Sequence, residues 1–325
     1  ALVAFEEASR LDSTASAPLY HLIEILLRQG EVDRAAPLVG RFIASRPERG
    51  YADHIEIMFA CARTVPDRVR WGEMAKNRPL GLLTASLKWN GGASRPACAH
   101  AGLSALLSSD TSATDPNAES RRFFAMLGLQ GVLLAQGRDQ EAVALVDAHV
   151  ARWGSGTSLY LLSAPFSAAF SGRARDVARA DSARYGPSYA HLEFPNRLWE
   201  LGLFEAKRGN VDVAAAVAAE LGGRARRKPT AHGRLLAASL EAHLALSRGD
   251  TALASQRFDA LVPAIAPPDL LNWDEAEPLG AERLELARVL VARREYRRAI
   301  DLANSFDSSS PVVYILYLKP SLELR

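Results

Sequence analysis

The stretch Leu246-Ser247-Arg248-Gly249-Asp250-Thr251-Ala252-Leu253-Ala254 decides the fold. An apolar, helix-like run ends on a Gly, an acidic residue follows, and an Ala stands five residues after the Gly. Gly at such a point predicts a helix C-terminus, because it takes the left-handed conformation at little steric cost. The acidic residue is suited to cap or favourably charge the next helix start. A small Ala lets the second helix lie close against the first. The stretch therefore predicts the corner of a helical hairpin.

The signal recurs along the chain. Gly30 leads to Ala35, Gly137 to Ala142 and Gly209 to Ala214; Arg294 replaces the Gly before Ala299. Gly172, followed by Val177 and Ala178, makes a weaker copy. From 137 onward the turns at 172, 209, 249 and 294 are spaced by 35, 37, 40 and 45 residues. The interval from Gly30 to Gly137 holds close to three more periods. A period of about 36 residues is one helical hairpin of a stacked array, so the chain has room for about nine. Leu284, Ala287, Leu290 and Val291 fall on one helical stripe, with Arg283, Arg288 and Arg293 mostly elsewhere. No stretch of similar length alternates as a strand does. The expected class is all-α.

Breaks in this pattern set the expected organisation. Residues 1–107 read as degenerate helical repeats, 108–120 as a polar loop, 121–310 as regular repeats, and 311–325 as a truncated terminal helix. Ser310-Pro311 supplies the N-cap and first-turn Pro of that last helix. Gly91 to Pro96 is a second breaker, and Pro263 to Gly280 a long connection containing Pro267-Pro268 and Pro278. A start at Ala1 and a stop inside a helix-like run are what an excised piece of a longer protein would show.

The paired-helix period, the turn Gly and the following Ala resemble tetratricopeptide repeats. Three units also carry a small residue seven positions before the turn: Gly202, Ala242 and Ala287. The resemblance is good over 121–306, fair over 17–47 and poor over 48–120, and the family's Trp and Tyr signature positions are largely absent. It implies a right-handed superhelix, an α-solenoid of antiparallel helix pairs, whose first helices line a concave groove. The family's groove positions fall here on Tyr20, Glu24 and Arg28; on Leu127; on Trp199 and Lys207; on Ser239 and His243; and on Leu284 and Arg288. The regular Asn and Lys set with which some members clamp a C-terminal carboxylate is missing. Residues 296–318 are similar to helical tails of large bacterial regulators that carry a kinase or DNA-binding domain.

Composition narrows the rest. Of 325 residues 48% are hydrophobic and 23% charged, with a mean hydropathy of −0.05. That is enough apolar surface to offset the ordering entropy of a folded chain. No apolar run approaches the roughly 20 residues of a membrane span. A net charge of +2 does not suggest a nucleic-acid surface. The bias of 34 Arg over 5 Lys fits a GC-rich, bacterial genome. Cys61 and Cys98 are too few for a disulfide framework or a four-ligand zinc site, and Cys61, beside Phe59 and Ala60, reads as a packed thiol. A reduced, cytoplasmic setting is expected, with the cell envelope as the alternative.

Candidate chemistry is sparse. No two of the seven histidines stand three or four apart, although His232 and His243 are close to three helical turns apart. Gly154 to Ser158 lacks the spacing of a nucleophile elbow, and Lys228-Pro229-Thr230 breaks the phosphate-loop pattern. The run Arg224, Arg226, Arg227 and Lys228 reads as a basic loop after Gly222-Gly223, solvated or open to phosphates. Asp269, Asp274, Glu275 and Glu277 surround Trp273 as a second docking candidate or a core anchor.

These readings lead to a non-catalytic interaction or scaffold module, without cofactor or metal. It would bind a partner peptide or helix, or another domain of its own full-length chain, as part of a larger bacterial regulatory or signalling protein. The alternative is a domain that senses a small molecule in an enclosed pocket and gates an attached effector. Nucleic-acid binding would need the Arg side chains gathered on one face. An enzyme has least support.

Overall fold

The computed structural model describes residues 2–12, 15–45, 47–64, 66–90, 96–109, 117–154, 156–185, 189, 192, 195–262, 279–304 and 323–324. Among them every regular element is helical. The chain divides into two compact units, Ala1–Val132 and Leu133–Arg325.

The first unit holds α1 (Leu2–Leu11), α2 (Ser16–Arg28), α3 (Val32–Ala44), α4 (Arg49–Arg63), α5 (Arg68–Asn77), α6 (Pro79–Asn90), α7 (Pro96–Ser108) and most of α8 (Ala118–Ala135). Helix α2 packs on α1, α3 and α4; α4 packs on α6, and α7 on both α5 and α6. Asp67 caps α5 by accepting from the Arg70 amide at 2.9 Å, which satisfies a backbone donor that the first turn leaves unpaired. Close approach here depends on glycine. A Cβ on Gly81 of α6 would stand 2.6 Å from Cβ of Asp53 and 3.2 Å from its carbonyl carbon in α4. Cys61 and Cys98, where the residues suggested at least one packed thiol, are joined as a disulfide between α4 and α7.

The second unit continues from the end of α8 with α9 (Asp139–Trp153), α10 (Ser158–Ser163), a 3-10 turn (Ala168–Phe170), α11 (Ser171–Tyr185), α12 (Pro195–Lys207), α13 (Val211–Arg227), α14 (Ala231–Ser247), α15 (Thr251–Leu261), α16 (Leu279–Ala292) and α17 (Tyr296–Asn304). Each helix from α12 to α15 packs on the next, and so do α16 and α17; α12 also touches α14, and α15 touches α16. Ala242, Ala245, Ala254, Phe258, Leu286, Leu290 and Ala299 form one buried core across α14 to α17.

Five corners are built alike. Gly30, Gly137, Gly209 and Gly249 have φ of +80°, +71°, +78° and +80°, and Arg294, where the Gly is replaced, takes +63°. At each corner two reverse hydrogen bonds close the helix end. For the α12–α13 corner, Gly209 N donates to Ala206 O at 3.1 Å and Asn210 N to Glu205 O at 2.9 Å. That double closure satisfies carbonyls the last turn would leave bare. The Ala five residues after the turn position then makes the first hydrogen bond of the next helix, as Ala254 N does to Asp250 O at 2.9 Å. These alanines are 0 to 2% exposed. Their role is therefore double: they open the second helix and keep the pair close. Of the three acidic or amide residues expected to serve the next helix, Asp250 caps through its side chain, accepting from Leu253 N at 3.0 Å, while Asn210 and Glu31 make no such bond.

Two expectations are corrected. Gly172 lies in the first turn of α11 and has no left-handed φ, because a 3-10 turn rather than a helix precedes it. The basic run 224–227 is no loop: α13 continues to Arg227. Arg224 is held in the helix by Glu220 at 2.7 Å and donates to the carbonyls of Tyr189 (3.1 Å) and Leu192. Those tertiary partners outweigh the helix-weakening Gly222-Gly223. The expected loop core at 110–116, the breaker at 91–95, the connection at 263–278 with Trp273 and its acidic neighbours, and most of the terminal helix, at 305–322, lie outside the described residues.

Candidate functional site

Helices α12, α14 and α16 are the first members of three successive hairpins, and each turns polar side chains toward the others. Pro195 opens α12, where its missing N–H costs nothing. Thr230 caps α14 by accepting from Gly233 N at 3.0 Å. Gly202 lets α12 approach α14, since a Cβ there would meet the Leu240 side chain. Helices α12 and α14 are thus held at short range, and residues about 40 apart in sequence meet.

The centre is a chain of hydrogen bonds. Trp199 Nε1 donates to Ser239 Oγ at 2.7 Å, and Ser239 in turn donates to Glu282 Oε1. His243 Nε2 reaches the same carboxylate oxygen at 3.1 Å. The His243 ring stands edge-on to Phe258 with centroids 5.0 Å apart. Trp199, Ser239, His243 and Glu282 are all 2% exposed or less. Next to them, Glu285 Oε1 accepts from Lys207 Nζ and, at 2.6 Å, from Arg288 Nη1. Arg288 is the most open member, its side chain 38% exposed.

The electrostatics follow from this geometry. Burial pushes the Lys207 ammonium below its usual range, and Glu285 only partly restores it. Burial alone would raise Glu285, yet the charges of Lys207, Arg288 and His243 together hold it below the usual carboxylate range. Glu282 Oε2 and His243 Nδ1 are buried and make no hydrogen bond. The Ser239 hydroxyl gives its proton to the Glu282 carboxylate rather than to the imidazole. Next to Trp199 along α12, burial raises Glu200 to about 7 although Arg197 lies 3.6 Å away.

Of the expected groove residues, Trp199, Lys207, Ser239, His243 and Arg288 meet in this one cluster. Trp199, Ser239 and His243 are buried and linked through Ser239 and Glu282 rather than forming an open lining. Leu284 is fully buried core, and Leu127 is buried in α8. Tyr20 and Glu24 belong to a separate cluster in the first unit. There Tyr20 Oη lies 2.6 Å from His54 Nδ1, and the Glu24 carboxylate lies 3.4 Å from His21 Nδ1 and 3.7 Å from His54 Nε2. Burial first, and then Glu24, push the Tyr20 phenol upward, so it stays protonated. The side chain of Arg28 lies outside the described residues. His232 does not join His243; it bonds Asn196 at 2.7 Å.

Glu282 and Glu285 were missed by the sequence reading. Their signal was present: a Glu-x-x-Glu pair places two carboxylates on one helical face. What the pattern lacks is any sign that this face turns inward to a Ser, a His and a Lys from other hairpins. Among the described residues no group of three His, Cys, Asp or Glu side chains could hold a metal ion. No helix among them is long and apolar enough to cross a membrane. The chain matches no protein-family model, no curated protein and no solved structure.

Proposed function

We propose that the chain is a non-catalytic, tetratricopeptide-like helical module of a larger regulatory protein, and that it binds a partner polypeptide along the face formed by α12, α14 and α16. The observation that carries this reading is the convergence of five expected groove positions, from three successive first helices, on one polar cluster. In this reading Trp199, Ser239, His243 and Glu282 fix the helices, and recognition falls to the rim, where Arg288 and Lys207 share Glu285. A carboxylate on the partner would compete with Glu285 for Arg288, whose fork suits bidentate pairing.

The test starts from a partner captured from the source cell and titrated against variants whose helical content is unchanged. Arg288→Glu should weaken the complex roughly thirtyfold, the equivalent of about 2 kcal/mol for an interface anchor. Trp199→Phe, which removes a buried N–H and leaves a smaller ring in the core, should leave affinity within a few-fold. Unchanged affinity with Arg288→Glu rejects the rim.

A second reading, a domain that senses a small polar molecule, draws on the two buried atoms without hydrogen bonds, Glu282 Oε2 and His243 Nδ1. Its mark would be a thermal shift with a metabolite that disappears in Glu282→Gln.

A further inference from the structure

Cys61 and Cys98 are 37 residues apart, and the disulfide between them ties α4 to α7 with a Cα separation of 6.4 Å. That distance lies in the range a bridge spans without moving the backbone. Between these two helices in sequence lie α5 and α6: α4 packs on α6, and α7 packs on both. The bond therefore joins the first and last helices of a four-helix block. Both residues are sealed, Cys61 1% and Cys98 0% exposed. Their surroundings are apolar: Ile57, Met58 and Ala62 are buried on α4, and Ala99 and Leu103 on α7. A thiolate is disfavoured in such a setting, and a small thiol has no path to attack the bridge.

We infer that Cys61–Cys98 is a permanent structural disulfide of the first unit, and that the protein accordingly works in an oxidising compartment rather than the reducing cytoplasm. Disulfides form and persist in secreted, periplasmic and surface proteins, whereas cytosolic thiols are kept reduced. The oxidant is a disulfide-class donor, a thiol–disulfide oxidoreductase or an oxidised low-molecular-weight thiol. One cysteine thiolate attacks the donor disulfide, forms a mixed disulfide and expels one donor thiolate. The second cysteine thiolate then attacks the protein-bound sulfur of that mixed disulfide and expels the second. Two protein thiols are oxidised, one donor disulfide is reduced to two thiols, and both cysteine protons pass to the departing thiolates. Because the mature sulfurs are buried, this exchange takes place before α4 and α7 close. The bond is thus sealed in by folding, unlike an exposed regulatory pair.

The decisive measurement is the thiol state of protein acid-quenched directly from the source cell and alkylated in denaturant. No alkylation before reduction and two alkylated cysteines after it are expected. Two alkylated cysteines without prior reduction would overturn the inference. Treating the native protein with dithiothreitol should leave the bridge intact for hours, whereas in denaturant it should open at once; rapid loss from the native protein would show an accessible, labile bond instead. Reduction in denaturant followed by refolding under reductant should lower the melting temperature of the first unit by roughly 10 °C. The Cys61→Ala/Cys98→Ala protein should melt at that same lower temperature and not respond to reductant. An unchanged melting temperature on reduction would mean the bond does not hold the block.

Discussion

The two units keep helices together by different means. In the second, four corners repeat one local device, a left-handed residue, two reverse hydrogen bonds and a buried Ala five residues on. In the first, Gly30 provides that corner once, and the rest of the unit depends on long-range devices: the Cys61–Cys98 bond and the bare backbone of Gly81 against Asp53. A chain can therefore make helical hairpins with or without a repeat signature. The signature marks corners built locally; its loss marks a region where packing partners and a cross-link take over the work.

The largest expected effect tests the buried charges of the second unit. Glu285→Ala leaves Lys207 buried without its carboxylate and should destabilise the protein by about 3 kcal/mol or more, measured by urea unfolding. Hydrogen exchange should rise first in α12, α14 and α16. A loss below 1 kcal/mol would mean that the cluster contributes little to holding these helices.

The next effect is a pH dependence confined to α12. Glu200 titrates near 7 in the folded chain against 4.5 for the free side chain, because burial outweighs Arg197. Below 4.5 both states carry the proton. Above it the unfolded chain releases the proton first, so stability falls as pH rises toward and through 7, by about 3 kcal/mol at most. Glu200→Gln should flatten that slope between pH 4.5 and 8; an unchanged slope would assign it to other groups.

In the first unit, Gly81→Ala should cost about 2 kcal/mol, since the new methyl meets Cβ and the backbone of Asp53 in α4, none of which can swing aside. The smallest effects lie at the corners and have opposite signs. Gly209→Val should lose at least about 1 kcal/mol, whereas Arg294→Gly should gain about 1 kcal/mol or less by relieving a left-handed non-Gly residue. Equal melting temperatures for both variants and the parent would remove the left-handed corner as a stabilising device.

Much of the helical architecture was legible in advance. The corner at Gly249 and Asp250 needs only residues within five positions, and its hydrogen bonds are written in that local order. The run 224–227 misled because Gly222-Gly223 is a sound local sign of a break, overridden by carbonyls of Tyr189 and Leu192 over 30 residues earlier. The groove positions were legible as members of a set but not in their environment. The tetratricopeptide resemblance assigns Trp199, Ser239 and His243 to groove positions, yet it does not say that those faces close on one another around Glu282.

By itself, then, the amino-acid order determined the helical class, the corners at 30, 137, 209, 249 and 294, and the small residues that let paired helices approach. Those features arise from backbone sterics and hydrogen bonds between near neighbours. Only the tertiary structure decided the partners of Glu282 and Glu285, the burial of Trp199, Ser239 and His243, and the union of Cys61 with Cys98. Apart from Arg288, three residues from Glu285, each of these joins groups some 37 to 43 residues apart or, for Lys207 and Glu285, even further, in largely buried surroundings. Nothing in the local pattern carries that information, because it resides in which helix faces meet and how closely.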